Sequence, residues 1–134
     1  MELKKSYKGF IIWMLLYVVS CFSLCFLPIV DSVILTRLSL NMCTIGVAIL
    51  AFIIYKTEYI YWYNGITYED AVEAGSERRK AYAWKHCRRF GGCALICLVC
   101  SIVFHIVGIS MWYDIFLVSI GIVAAAISTI TIKL

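Results

Sequence analysis

The stretch RRKAYAWKHCRRFGGCALICLVCSIVFHIVG, residues 78–108, decides the fold. Its first part, Arg78 to Arg89, holds six Lys and Arg residues, whereas from Phe90 onward it holds no Lys, Arg, Asp or Glu. An apolar run of roughly 20 residues is what a helix needs to cross the hydrocarbon of a bilayer. A basic flank marks the end of such a helix that stays in the cytoplasm. This stretch therefore predicts a membrane span, entered from the cytoplasmic side.

The rest of the chain extends the pattern. Apolar runs predict four spans at about 9–30, 38–56, 90–110 and 115–132, with a cytoplasmic, interfacial helical segment at about 57–89. Eleven of the twelve Lys and Arg residues then fall on one side: Lys4, Lys5 and Lys8, the group from Lys56 to Arg89, and Lys133. Only Arg37 falls on the other. Both termini are expected in the cytoplasm. With 63% apolar residues, 15% charged residues and a mean hydropathy of +0.93, the 134-residue chain departs from soluble composition. The expected fold is all-α: an integral-membrane four-helix bundle of one domain. The first run has the basic flank of a signal peptide, but it is longer than a signal core and Pro28-Ile29-Val30-Asp31 is a poor cleavage site, so it reads as a retained helix.

Local signals set the expected boundaries. Asp31 to Ser39 reads as a short outer connection. Asn64-Gly65 marks a turn, and Thr67 with Asp70 marks a helix start. Gly75-Ser76, between an acidic stretch (Glu69, Asp70, Glu73, Glu77) and the basic one, is a helix break with Ser76 as a new N-cap. The aromatic group Tyr55, Tyr59, Tyr61, Trp62, Tyr63 and Tyr68 reads as an interfacial belt. The sharper alternative is an aromatic ligand cradle.

Few residues suggest chemistry. His105 is the one ionisable group well inside a predicted span, on a stripe of small and polar residues (Gly91, Ala94, Cys97, Ser101, Gly108) that should face other helices. His105 is therefore expected to point into the bundle with Ser101, Asn41 and Thr44 as a candidate intramembrane polar site, near Asp31, Arg37 and Asp114 just outside the span. Cys93, Cys97 and Cys100 share a helix face and Cys21 lies at similar depth, a conceivable thiolate site for a soft metal. Thiolates are costly in hydrocarbon, so packing is the favoured role for these cysteines and no metal or cofactor is assigned. Cysteines inside spans exclude a disulfide framework, and Cys87 faces a reducing compartment. Gly121, Ala125 and Ser128 form a helix-packing face.

The net charge of +4 points to anionic lipid headgroups, contacted by Arg78, Arg79, Lys80, Lys85, Arg88 and Arg89, rather than to nucleic acid. Zinc-protease, nucleophile-elbow and phosphate-loop motifs are absent, so no enzymatic reaction is assigned.

Tyr63-Asn64-Gly65-Ile66-Thr67-Tyr68-Glu69 and Lys85-His86-Cys87-Arg88-Arg89-Phe90-Gly91-Gly92 resemble the loop of a family of small bacterial membrane proteins of unknown function. That family has three spans, a Gly-Tyr-Asn-Thr stretch after the first and a basic Cys-Arg-Phe-type entry into the second. More distantly, the segment is similar to multi-span immunity and signal proteins that protect bacteria from their own toxic peptides. The Gly-Tyr-Asn order is not kept here and the first helix is extra. The resemblance implies no catalytic residue. The expected function is a non-enzymatic accessory, sensor or immunity module that binds a partner helix, peptide or lipid. An oligomeric transporter or channel, and a thiol-based metal or redox protein, are the alternatives. Expected partners are the bilayer and its anionic headgroups, with a homo-oligomer or a second membrane protein left open.

Overall fold

The computed structural model describes residues 3–24, 26, 28, 31–63 and 65–134. They form α1 (Lys8–Leu24), α2 (Ser32–Thr57), α3 (Tyr68–Val107) and α4 (Trp112–Ile130), with a 3-10 turn at Ile60–Trp62 between α2 and α3. No strand occurs among the described residues. Three helices, α2 to α4, are long and apolar enough to cross a membrane, while α1 is apolar but shorter at 17 residues. The predicted extension of the first span toward Val30, together with Cys25 and Asn64, lies outside the described residues.

Helix α2 starts earlier than expected. Asp31 to Ser39 is no outer connection: Asp31 caps the helix by accepting from Val33 N at 3.1 Å, and Ser32 to Ser39 are its first two turns. The charge of Arg37 does not stop the helix, because Asp114 of α4 lies opposite it. At its other end α2 stops at Glu58, whose φ of 61° is left-handed.

Helix α3 begins with a reciprocal cap, in which Thr67 Oγ1 accepts from Asp70 N at 3.1 Å and Asp70 Oδ2 accepts from Thr67 N at 3.1 Å. This is the predicted start. The predicted break falls at Gly75, with φ 74° and ψ 166°, a region open essentially to glycine alone. Ser76 is not the N-cap: its hydroxyl donates to Glu58 Oε1 at 2.9 Å. From Ser76 to Val107 the helix shows no further non-helical residue, about 48 Å at 1.5 Å per residue. The basic stretch thus continues directly into the apolar one. Gly108, with φ 76°, ends α3 and a tight connection leads to α4.

The main seam joins α2 to α3, and α4 packs on α3 and less extensively on α2. Helix α1 packs on α2. Gly46 of α2 permits this approach, since a Cβ there would collide with the Tyr17 ring. The hydrophobic core sits at the basic end, where Leu3, Ile54, Ile60, Tyr61, Ala71, Tyr82 and Ala83 are buried together. Elsewhere the helices turn large apolar side chains outward, among them Leu16, Val19, Leu95, Ile102, Phe116 and Ile127. A hydrocarbon surround would make that arrangement inexpensive, since lipid tails are as apolar as the side chains.

Candidate functional site

Buried polar groups gather at the two ends of the helices, and the layer between them is apolar. At the end remote from the basic cluster, Arg37 and Asp114 are buried at 6% and 1% exposure. Arg37 Nε lies 3.0 Å from Asp114 Oδ2. The contact is ionic rather than an aligned hydrogen bond, so both carboxylate oxygens are enclosed without a hydrogen-bond donor among the described residues. Arg37 Nη2 also donates to the carbonyl of Ile109, tying α2 to the α3–α4 connection. Asn41 and Thr44 are buried below, donating to their own helix at Arg37 O (2.9 Å) and Asn41 O (3.0 Å). Ser101 is buried across from them on α3.

His105 does not join this interior. It is exposed, and no side-chain hydrogen bond from it occurs among the described residues. It lies on the rim of a groove of about 230 Å³ that Asn41, Ser101 and Arg37 also line. The stripe through Ala94, Cys97 and Ser101 is buried as predicted, but the interior at this depth is already filled by Arg37 and Asp114. The expectation of an inward His105 with a polar partner is overturned, and so is the placement of Arg37 and Asp114 outside the helices.

The cysteines separate into two sets. Cys93 and Cys97 face α4, where a Cβ on Gly121 would stand 3.1 Å and 3.4 Å from their sulfurs. Cys21 belongs to α1, beside Tyr17 and against α2. Among the described residues no three His, Cys, Asp or Glu side chains converge as a metal site.

At the basic end the aromatic group packs inward. Tyr61 and Trp62 hold the N-terminal segment: the Tyr61 hydroxyl accepts from Ser6 N and donates to Ser6 O, both at 2.9 Å, and Trp62 Nε1 donates to Ser6 O at 3.1 Å. Tyr68 Oη donates to Leu3 O. The cradle these rings form is occupied by the chain's own residues. Next to it, Arg79 is buried and bound to Glu58, which corrects its assignment to lipid headgroups. Burial by itself would raise the Glu58 pKa, but hydrogen bonds from Ser76, Arg79 and Lys80 outweigh it and hold the carboxyl below its ordinary range. Arg78, Lys80, Lys85 and Arg88 stay exposed, while Arg89 is half-buried on the α3–α4 seam with Nη1 enclosed.

Beside this locked base lies a cleft of about 620 Å³ between α3, the end of α4 and the segment after the 3-10 turn. Its apolar wall is Phe90, Val123, Ala126, Ile127 and Ile130, and its polar wall is Tyr63, Tyr82 and His86. His86 is 4% exposed. Its ring lies 4.4 Å from Tyr63, stacked, and 4.4 Å from Tyr82. His86 Nδ1 is 3.1 Å from the carbonyl of Tyr82. Burial lowers the His86 pKa; the bond to the Tyr82 carbonyl opposes this and the charge of Arg89 reinforces it. Burial raises the Tyr63 phenol, and its hydroxyl is enclosed without a partner among the described residues.

This site was not singled out from the sequence. Its one signal is that Arg79, Tyr82, Ala83, His86 and Phe90 recur at helical spacing within the charged stretch, which marks a buried face there. Against this geometry, no family model, curated protein or solved structure matches the chain.

Proposed function

We propose that the protein is a non-enzymatic membrane module that acts by binding an amphipathic partner (a lipid, peptide or helix) at its basic end. The carrying observation is the His86 cleft: a pocket with one apolar and one polar wall, backed by the Glu58–Arg79 pair and the pinned N-terminal segment. The size falls within the range usual for small-ligand sites. In this reading the chain is a four-helix unit of a bacterial cytoplasmic membrane, with both termini and the basic end in the cytoplasm and residues 57–89 in the headgroup region. Arg78, Lys85 and Arg88 then meet anionic lipid. The accessory, sensor and immunity roles are all compatible with such a cleft.

A transporter reading has less support, because Ala51, Ala94, Cys97, Val118 and Ala125 fill the layer between the two polar ends and offer an ion no ligands. The test is flux. Proteoliposomes holding the purified protein should release neither protons nor monovalent ions above the lipid background, and protein-dependent flux would overturn the binding reading. Orientation is checked with a variant retaining Cys87 as its sole cysteine. A membrane-impermeant maleimide should label it in inverted vesicles and not in intact cells.

A further inference from the structure

His86 is buried, yet the described residues do not use all of it. Its Nδ1 faces a carbonyl, which only accepts, so Nδ1 carries the proton of the neutral ring. Nε2 then bears a lone pair and has no partner among the described residues, while the ring lines the cleft. Stacking on Tyr63 and contact with Tyr82 fix the ring plane. Nε2 is not among the enclosed atoms, so it opens on the cleft as an acceptor that can take a donor from an occupant.

The chemistry of that donor is constrained. An ether, ester, carboxylate or phosphate oxygen would set one lone pair against another. A cationic head would meet Arg89, whose charge already acts on His86, and the exposed Arg78, Lys85 and Arg88. A neutral hydroxyl satisfies both conditions, because it donates to Nε2 and brings no charge. The opposite wall, Phe90, Val123, Ala126, Ile127 and Ile130, suits an alkyl chain.

We infer that the cleft binds a long-chain amphiphile with a neutral hydroxyl head, the hydroxyl donating to His86 Nε2 and the chain lying along α4. This rests on the binding reading above and deepens it by naming the ligand class.

The test uses the full chain in phosphatidylcholine nanodiscs, whose headgroups carry no hydrogen-bond donor. The probes are hexadecanol bearing a chain diazirine and its methyl ether, which matches it in shape but lacks the donor. After photolysis, labelled peptides are mapped. The alcohol should label Phe90 and the α4 segment 123–130 roughly threefold to tenfold more than the ether, as one net hydrogen bond implies. Unlabelled hexadecanol should compete. His86→Phe retains the stack but has no acceptor and should erase the preference. Ala126→Trp, at an exposed position on the apolar wall, should block labelling there by both probes. Equal labelling by alcohol and ether in the unaltered protein would overturn the inference, and that comparison does not depend on any variant folding. A preference persisting in His86→Phe, or cleft labelling persisting in Ala126→Trp, would also overturn it. Flux from proteoliposomes would instead refute the binding reading itself, so the two failures are distinguishable.

Discussion

Glu58 ends α2 in the left-handed conformation, and its Oε2 accepts two hydrogen bonds from Arg79, at 3.1 Å from Nε and 2.9 Å from Nη2. Arg79 Nη1 reaches on to the carbonyl of Ala71 at 3.0 Å. One guanidinium therefore ties the end of α2 to α3 on both sides of the Gly75 break. A non-glycine residue at positive φ persists only where its surroundings hold it, and here Arg79 and Ser76 do so.

Arg79→Met keeps most of the volume and removes the charge. It should lower stability by about 3 kcal/mol, the low end for breaking a buried pair, because Ser76 and Lys80 still reach Glu58. Pairing it with Glu58→Asn, a residue that tolerates positive φ, should recover part of the loss. Thermal unfolding of the two variants in detergent checks this. A single variant as stable as the parent would show that the pair holds nothing.

The Arg37–Asp114 pair makes a similar prediction at the opposite end. Arg37→Met should cost about 3–5 kcal/mol by stranding a carboxylate that is 1% exposed. The double change Arg37→Met with Asp114→Leu should be close to neutral, since a well-packed apolar pair often replaces a buried ionic one without loss. His105→Ala, at an exposed site, should stay within about 0.5 kcal/mol. A large loss there would return His105 to the interior.

Gly46→Val should release α1. The added side chain drives into the Tyr17 ring, and overpacking of this kind costs roughly 1–3 kcal/mol. Hydrogen exchange should quicken in α1 and leave α2 to α4 protected, because α1 packs on α2 and outside the main seam. Unchanged protection in α1 would mean that other contacts hold it.

Acid should loosen the basic end in two steps. The His86 pKa is lowered from its ordinary value of 6.5, so above that pH its contribution to stability is fully present. Below it the unfolded chain binds a proton that the folded chain refuses, and stability falls as pH drops through the lowered folded value. Glu58, lowered from 4.5, repeats this at more acid pH. Amide protection at Glu58 to His86, taken relative to the intrinsic exchange rate at each pH from 8 downward, should fall first below about 6.5. His86→Phe should abolish that first step and leave the second.

Composition determines the all-α class, with helices long and apolar enough to cross a membrane, because a segment in hydrocarbon must hide its backbone polar groups within a helix whatever its neighbours are. Thr67 with Asp70, the break at Gly75 and the burial of Ala94, Cys97 and Ser101 were legible for a related reason: caps, glycine and helical periodicity act within a few residues. The partner of each charge was not legible. Arg37 reads as a loop residue until Asp114, on another helix, is brought to 3.0 Å. Arg79 reads as one more headgroup contact until Glu58, 21 residues earlier, encloses it. His86 sits among charges in the sequence and yet is buried, whereas His105 sits among apolar residues and yet is exposed. Local rules decide which segments are helical. Which face of a helix meets another helix depends on the angle and register at which distant segments pack, and tertiary structure alone decides that.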